Sequence, residues 1–314
     1  MEEADFEGVL AVILNFFLHV WRKDFRTSVR FCQLSRIALR KVEGPEPFWS
    51  KPRHVYRSVH RGDSEARLLV LGDGPLAEVG LRETGRRFEL GPERQALAEQ
   101  ACQGLRERGM TVTADPIYRV ASWTVGERFE LLADRGDYSQ VVGTKSHPEW
   151  GVKAQVVAVC CATECPQGFI VEKRSARVAA LPGMWHVCPA GSLQPPNGPF
   201  ETLLAEAREE LGLERDELRE VRCVGMLYNE HSGVYQLACS MTTSVPLVEI
   251  EARLRSGRWE QDGFVCAPVC PEQMPLWLEK FSEKVTPGGR AALLAEGQRR
   301  WGEEWFNRHC EDRP

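Results

Sequence analysis

The stretch "AEAREELGLERDEL", from Ala205 to Leu218, carries three glutamates within five residues, at Glu206, Glu209 and Glu210. At 100° per residue these three carboxylates fall on one arc of a helix. The apolar residues of the segment fall on a separate arc, and they are Phe200, Leu203, Leu204, Ala207 and Leu211. The pattern predicts an amphipathic helix over residues 200–211, with one face buried and the acids on the other.

Two interpretations fit this acidic arc. It is either an ordinary solvated helix face or a site for a divalent cation. Like charges three and four residues apart repel each other by a few tenths of a kcal/mol per pair, and Arg208 points away from the arc. A cation relieves that repulsion, and Mg²⁺ takes one or two carboxylates while water and phosphate oxygens complete its shell. The spacing alone leaves both interpretations open.

Residues upstream of the helix complete a longer pattern. Five residues separate Gly191 from Asn197, and seven separate Asn197 from Ala205. The whole resembles the Nudix box, G-x5-E-x7-R-E-U-x-E-E-x-G-U with U apolar, at seven of nine specified positions over 23 residues. The matching residues are Gly191, Glu206, Ala207, Glu209, Glu210, Gly212 and Leu213. Within this pattern a strand leads into a loop turned at Gly191, and Gly212 ends the helix in a left-handed conformation.

The resemblance implies a fold, a reaction and a cation. The fold is an α/β/α sandwich with a mixed sheet, and the reaction is hydrolysis of a nucleoside diphosphate linked to another group. The implied ligands of Mg²⁺ or Mn²⁺ are Glu206, Glu209, Glu210 and Gly191, and the three glutamates are also the implied catalytic residues. Asn197 and Ala205 depart from the pattern. Ala205 replaces an arginine that braces the glutamates in the family, so we expect weaker metal affinity with the three inner ligands retained.

Three further stretches are similar to the branch of this family that hydrolyses UDP-glucose and UDP-galactose. They are "DYSQVVGTK" (Asp137–Lys145), "FIVEKRSARVAALPGMWHVCPAG" (Phe169–Gly191) and "CVGMLYNEHSGVYQLACSMTTS" (Cys223–Ser244). With the box, the resemblance covers residues 86–314. The candidate substrate-binding residues in these stretches are Tyr138, Lys173, Arg174, Arg177 and Asn229.

These candidates also have a chemical basis. Lys173, Arg174 and Arg177 end a predicted strand beside the box and can neutralise a diphosphate, for which the arginine fork is well suited; the alternative is a solvated strand end. Tyr138 and Trp185 can stack on a base or sugar, although core packing is the commoner role of aromatic residues in sheets.

The water-activating base stays open among four glutamates, Glu206, Glu210, Glu230 and Glu260. Asn229 and Glu230 form, with His231, a polar turn between apolar strands, and such loops often carry function. His186 lies in a predicted strand, where a packing role is expected rather than ligand binding.

The remaining sequence divides into three regions. Residues 1–50 are an N-terminal extension, 51–145 a smaller α+β module, and 146–314 the Nudix hydrolase domain. In the module, "ARLLVLGDG" (Ala66–Gly74) predicts a strand ending in an Asp-Gly hairpin turn, and residues 92–109 predict a surface helix. Residues 137–151 are rich in turn formers and predict a connecting segment.

Further strands and helices follow in the predicted hydrolase domain. The apolar run Val152–Ala162 predicts a buried central strand. Strands are also predicted over residues 168–175, 183–191, 221–230 and 234–242, and two helices over 272–281 and 288–306.

The composition and charge of the chain limit the classes of partner that it can bind. The chain has 314 residues, 43% of them hydrophobic, and a net charge of −5 with acids and bases interspersed. We therefore expect a small-molecule nucleoside diphosphate as the partner and no nucleic acid, with the oligomeric state open.

The cysteine pattern and the N-terminal segment indicate where in the cell the protein is expected. The eleven cysteines contain no pair of C-x-x-C elements for zinc, and an odd count without a glycosylation sequon favours reduced thiols in the cytoplasm. The apolar segment Gly8–Trp21 has 14 residues behind an acidic leader. This is short for a membrane span and unlike a signal peptide, so we expect no membrane partner.

Taken together, the residues favour Mg²⁺-dependent hydrolysis of UDP-glucose or UDP-galactose to UMP and a sugar 1-phosphate. Two alternatives stay open. One is a pyrophosphatase of the same family acting on ADP-ribose, NADH or coenzyme A. The other is a catalytically weak Nudix-fold protein with a ligand-binding or regulatory role. The intact glutamate set favours the hydrolases, and the missing arginine brace favours the last.

Overall fold

The computed structural model describes residues 48–50, 57–60, 64–112, 115–230, 232–254 and 261–310. Most of the predicted N-terminal extension, including the apolar segment Gly8–Trp21, lies outside the described residues. So do His231 and Glu260.

The described strands form one mixed sheet. Their bounds are β1 (Phe48–Ser50), β2 (Arg57–His60), β3 (Ser64–Pro75), β4 (Gly80–Arg87), β5 (Pro116–Val125), β6 (Phe129–Asp137), β7 (Val156–Cys165), β8 (Gly168–Arg174), β9 (Trp185–Val187), β10 (Ala190–Ser192), β11 (Leu218–Asn229), β12 (Val234–Thr243) and β13 (Gln261–Ala267). The central path runs β1-β3-β11-β12-β7-β5-β6-β4. Strands β7 and β12 are parallel, as are β4 and β6, and the other pairs are antiparallel.

Seven α-helices accompany the sheet in the described part of the chain. They are α1 (Pro92–Glu107), α2 (Tyr138–Ser146), α3 (Pro199–Leu211), α4 (Leu247–Arg253), α5 (Gln273–Lys280), α6 (Pro287–Trp301) and α7 (Glu303–Cys310). None of the described helices is long and apolar enough to cross a membrane.

The alternation of side chains along β7 explains how helices cover both faces of the sheet. Every residue of β7 is buried. Val157, Val159 and Cys161 join the hydrophobic cluster beneath α3 and α4, whereas Cys160 and Ala162 join the cluster beneath α5, α6 and α7. Because successive side chains point to opposite faces, a strand covered on both sides must be apolar throughout. The mixed α/β class expected from the sequence is therefore confirmed.

The structure corrects four of the predicted elements. Asp73 and Gly74 do not form a hairpin turn; they lie within β3, and Gly74 pairs with Cys223 of β11. Residues 137–151 form α2 and a 3-10 turn, because Asp137 and Gln140 make a capping box that starts a helix. The predicted strand 183–191 is interrupted between β9 and β10, and the predicted helix 288–306 is broken at Gly302.

The sheet continues across the predicted boundary at residue 145. Strand β3 pairs with β11 along most of its length, and β5 joins β7 through the pair Arg119 and Val156. Buried Asp73 also pairs with Arg222 of β11. The division into two domains stays a prediction.

We predict that Gly225→Ala lowers the free energy of unfolding by about 2 kcal/mol. A β-carbon at position 225 would lie 2.4 Å from the backbone oxygen of Val70, so β3 and β11 would have to separate. Gly263 in β13 is the matched control, because a β-carbon there meets nothing within 4 Å. Chemical denaturation checks both variants, and equal stability for the two would contradict this account of the β3–β11 contact.

Candidate functional site

Helix α3 forms as its sequence pattern predicts. Pro199 occupies the first turn, where its missing N–H costs nothing. Leu203, Ala207 and Leu211 are fully buried beneath the helix. Gly212 ends it at φ 61°, in the left-handed region, and its N–H donates to the carbonyl oxygen of Arg208 at 3.1 Å. The predicted glycine cap is thus confirmed.

The three glutamates of α3 lie in three different environments. Glu210 is only 5% exposed, Glu206 is half-buried, and Glu209 is exposed. The expectation that all three stand together on an open face is therefore wrong for Glu210. The reason is that α3 packs against β10 as well as against β7, so the side of the helix that faces β10 is covered.

Two donors hold the Glu210 carboxylate. The backbone N–H of Ala190 donates to Oε2 at 2.9 Å, and the thiol of Cys188 lies 3.5 Å from the same oxygen. Both donors belong to the segment that leads into Gly191. Ala205, which stands where the family has its bracing arginine, is exposed. The brace on Glu210 is thus supplied from the loop rather than from the helix.

A further acid, Glu172 of β8, which the sequence analysis missed, lies beside Glu210 and Cys188. Ligand atoms of Glu172, Cys188 and Glu210 lie within 4.8 Å of one another, and all three residues are buried. The signal was an acid directly after the buried apolar run "GFIV" of β8, at a position that is itself buried. Burial, and then the neighbouring carboxylates of Glu172 and Glu210, raise the pKa of Cys188 well above its ordinary value. Cys188 is therefore a neutral thiol and a hydrogen-bond donor.

Glu206 lies directly over Gly191. A β-carbon at position 191 would lie 1.7 Å from Oε1 of Glu206, so a side chain there would occupy the position of the carboxylate. The glycine of the sequence pattern thus has a steric reason: it leaves the space into which an acid from the following helix reaches. Gly191 pairs with Val159 of β7, which fixes its place on the sheet.

A cavity of about 360 Å³ opens beside Gly191. Three of the predicted site residues line it, and they are Tyr138, Arg174 and Gly191. Polar residues that the sequence analysis did not select also line it, and they are Lys145, Ser146, His186, Ser192, Ser232 and Gln236. The cavity lies within the size range of small-molecule sites.

Positive charge is concentrated on one side of this cavity. The Arg174 guanidinium lies 3.8 Å from the Glu172 carboxylate, and its Nε donates to the carbonyl oxygen of Ala180 at 3.0 Å. Although Lys145 is exposed as a whole residue, partial desolvation lowers the pKa of its side chain, and the charge of Arg174 lowers it further. These two cations therefore act on the same region of the cavity.

The cavity is also lined by uncharged polar groups. Burial, with a smaller effect of Arg174, lowers the pKa of His186 to about 3, so the imidazole is neutral at ordinary pH. Its Nδ1 shares a hydrogen bond with Thr286 Oγ1, which also accepts the N–H of Gly289 at the start of α6. His186 is thus both a packed residue, as expected, and part of the cavity wall.

The other predicted site residues, including Glu206, Glu209 and Glu210, are not among the cavity-lining residues. Lys173 points to the opposite face of β8 from Glu172 and Arg174, because side chains alternate along a strand. Arg177 is exposed in the following loop. Asn229 is buried, and its Oδ1 accepts the N–H of Ser232 at 3.1 Å, which shapes the β11–β12 turn.

Two further sequence candidates also have their own partners. Glu230 forms an ion pair with Arg67. Trp185 packs against the hydrophobic cluster beneath α6. Core packing is therefore the observed role of Trp185.

Comparison with known proteins gives limited similarity. No protein-family model and no curated protein matches the chain. The crystal structure of DR0079 from Deinococcus radiodurans is similar, with a TM-score of 0.31 and 19% identity, over 45% of this chain and 82% of that one. A bifunctional NMN adenylyltransferase/ADP ribose pyrophosphatase from Francisella tularensis is similar with a TM-score of 0.32 and 9% identity. The match covers 52% of this chain and 49% of the Francisella tularensis chain.

A second structure of the Francisella tularensis protein, in complex with AMP and a manganese ion, has the same TM-score of 0.32 and identity of 9%. The chain spans about half the length of that protein. Likeness at this level fixes neither the family nor the activity of this chain, so the function has to be argued from its own residues.

We predict that Glu210→Ala lowers the free energy of unfolding by about 1–3 kcal/mol, because the partly buried N–H of Ala190 loses its acceptor. Glu209→Ala is the matched control on the same helix, and its exposed position predicts a change within about 0.5 kcal/mol. Thermal and chemical denaturation measure both. If the two variants unfold alike, Glu210 does not anchor α3 to β10.

Proposed function

We propose that the protein is a Nudix hydrolase with the α/β/α sandwich of that family, and that it cleaves the diphosphate of UDP-glucose or UDP-galactose to UMP and a sugar 1-phosphate. The observation that carries the proposal is the placement of Glu206 over Gly191, a residue that lines the cavity, on the same helix as anchored Glu210. The seven matching positions of the sequence pattern support the same family.

The donor set fits a hard divalent cation. Carboxylate and carbonyl oxygens are the ligands preferred by Mg²⁺ and Mn²⁺, and a thiol that stays protonated does not compete for them. The residues that would hold the cation are Glu206, Glu209, Glu210 and Gly191, with Glu172 as an addition from the structure. When bound, the cation withdraws charge from the diphosphate oxygens.

The cationic side of the cavity supports a diphosphate substrate. Arg174 offers a planar fork for phosphate oxygens, and Lys145 offers a compact charge from α2. The positive charges of Arg174 and Lys145 repel each other, and an anion bound between them stabilises both. Because hydrolysis of a diphosphate needs little covalent chemistry from the protein, holding the phosphates in place accounts for much of the rate.

The neutral side of the cavity supports an uncharged, hydroxylated partner for the diphosphate. His186, Gln236 and Ser232 offer donors and acceptors without net charge. Tyr138 stands at the start of α2 beside the apolar wall, where its ring can stack on a sugar or base. Two cations together with uncharged polar groups fit a nucleotide sugar better than coenzyme A, which carries a further phosphate.

The base that deprotonates the water is assigned to α3. Glu230 is paired with Arg67. Glu210 is 5% exposed and accepts hydrogen bonds from Ala190 and Cys188 at Oε2, whereas Glu206 is half-buried and reaches over Gly191, which lines the cavity. Glu206 is therefore the preferred base among the described candidates.

A substrate panel tests the reaction. We predict that the purified full-length chain, with Mg²⁺ or Mn²⁺, releases UMP from UDP-glucose or UDP-galactose, as followed by ion-exchange chromatography. Release of AMP from ADP-ribose or NADH, with UDP-sugars untouched, would contradict the substrate and keep the family. Binding without turnover of any substrate would contradict the hydrolase.

Variants of the acidic helix test the residues. We predict that Glu206→Gln, Glu209→Gln and Glu210→Gln each lower kcat by at least about a hundredfold, because each would remove a charged ligand or the base. Circular dichroism checks that each variant stays folded. Glu201→Gln is the matched control, since Glu201 is exposed on the first turn of the same helix. Full activity in the three variants would refute the metal assignment.

Gly191 offers a test that needs no substrate. We predict that Gly191→Ala weakens Mn²⁺ binding at least about tenfold while the protein stays folded, because the new β-carbon displaces only the flexible end of Glu206. Gly198→Ala is the matched control: its β-carbon would lie 2.9 Å from the exposed Glu201 carboxylate. Electron paramagnetic resonance of free Mn²⁺ measures both, and unchanged affinity in Gly191→Ala would contradict the placement of the cation.

A further inference from the structure

The side chain of His186 is held in one orientation at the wall of the cavity. His186 is 5% exposed and is one of the residues that line the cavity. Its Nδ1 shares a hydrogen bond with the hydroxyl of buried Thr286, which immediately precedes α6. The backbone of β9 is tied to the same segment, because the N–H of Thr286 donates to the carbonyl oxygen of Trp185 at 2.8 Å. Backbone and side-chain bonds together therefore fix the imidazole.

Two glycines at the start of α6 leave room for His186 and for Gln236 of β12. A β-carbon on Gly289 would lie 3.1 Å from Nδ1 of His186. A β-carbon on Gly288 would lie 2.5 Å from Oε1 of Gln236 and 3.6 Å from Cε1 of His186. One point beside α6 is thus close to both side chains, and both line the cavity. The imidazole and the amide are therefore neighbours in the same wall.

The bonds of Thr286 decide which nitrogen of the neutral imidazole carries the proton. The Thr286 hydroxyl accepts the N–H of Gly289 at 3.0 Å, and its other hydrogen bond in the described part of the chain is with Nδ1 of His186. A buried hydroxyl needs an acceptor for its own proton, and Nδ1 supplies it. Because Nδ1 is then an acceptor, the ring proton lies on Nε2.

Nε2 of His186 is available to a ligand in the cavity. It makes no hydrogen bond with any residue in the described part of the chain. A polar group in such a wall needs water or a ligand as its partner. A phosphate oxygen would accept from Nε2–H but would leave Oε1 of Gln236 without a donor, whereas a hydroxyl group both accepts and donates. The two residues together therefore fit a hydroxyl group.

We propose that His186 and Gln236 form the subsite for a hydroxyl group of the substrate's sugar, with Nε2–H of His186 donating to the hydroxyl oxygen and the amide oxygen of Gln236 accepting the hydroxyl proton. This assignment rests on the proposed function, because it divides the cavity between the diphosphate, held by Arg174 and Lys145, and the sugar. A site built to bond a hydroxyl discriminates against ligands that lack it, since its own polar groups are then left unpaired. His186 and Gln236 thus determine specificity.

Two substitutions at position 186 separate the roles of the ring nitrogens. The amide of glutamine reaches the position of Nε2, whereas that of asparagine reaches only the position of Nδ1. We expect His186→Asn to weaken binding of UDP-glucose or UDP-galactose, whichever binds more tightly, at least about tenfold, and His186→Gln to stay within about threefold of the unchanged protein. Binding of UDP, which has no sugar beyond its diphosphate, should change by less than about twofold in both variants.

Calorimetric titration of the full-length chain in EDTA measures these affinities, because the proposed hydrolysis needs a cation. Gln236→Met tests the second residue at a half-buried position, where the change keeps the length of the side chain and removes the amide. We expect the same pattern, with the UDP-sugar weakened at least about fivefold and UDP unchanged. Tyr235→Phe is the matched control, since Tyr235 points to the opposite face of β12, and it should bind both ligands as the unchanged protein does. Circular dichroism checks that every variant is folded.

Two results would overturn the subsite alone. Equal weakening of UDP and of the UDP-sugar would show that the two residues act on the uridine or the diphosphate. Equal weakening in His186→Asn and His186→Gln would show that Nε2 does not make the contact.

Turnover is measured separately in Mg²⁺, so that the subsite and the proposed reaction are judged apart. The expected binding pattern without turnover supports the subsite and contradicts the hydrolase. Turnover of a UDP-sugar by variants that bind it as the unchanged protein does overturns the subsite and keeps the hydrolase. Failure of the unchanged protein to bind either UDP-sugar overturns both.

Discussion

The candidate site depends on one hydrogen bond, from the N–H of Ala190 to the carboxylate of Glu210. It ties α3 to β10, and β10 is held on the sheet by its pairing with β7. Glu206 lies one turn earlier on the same helix, so fixing Glu210 also fixes the carboxylate that reaches over Gly191. A buried carboxylate needs hydrogen-bond donors, and the N–H of Ala190 supplies one of them. The same contact that stabilises the fold therefore places the acid that the proposed chemistry needs.

Strand β8 joins the separate parts of the molecule. Its alternating residues send Glu172 and Arg174 to the face of Glu210 and the cavity, and Lys173 to the other face. Its first residue, Gly168, leaves no room for a side chain, because a β-carbon there would lie 2.4 Å from the carbonyl oxygen of Ala267. One strand of seven residues thus carries a cation for the cavity and a buried acid beside Glu210.

Local patterns in the sequence predicted the parts of the fold that depend on local chemistry. The apolar arc and Gly212 were sufficient to predict α3 and its end, and the unbroken apolar run was sufficient for a buried β7. The hairpin expected at Asp73 and Gly74 failed because β11, far along the chain, pairs with β3 through that point. Burial of Glu210 was missed for the same reason: helical spacing does not show that a distant strand covers one side of the helix.

The candidate site was also predicted only in part, because local sequence patterns do not show which distant elements meet. Tyr138, Arg174 and Gly191 were selected from the sequence and meet at one cavity, whereas Lys173, Arg177 and Asn229, which were selected from the same stretches, do not line it. Lys145 and His186 join the cavity through α2 and β9, whose placement depends on tertiary contacts.

Anomalous diffraction from a crystal grown with Mn²⁺ tests the central claim most directly, because it locates the cation without reference to activity. The account predicts one strong peak bounded by the carboxylate of Glu206 and by Gly191, on the side of Glu210 that faces the cavity. A peak held by Glu172 and Cys188 without Glu206, or no peak at all in that region, would contradict it.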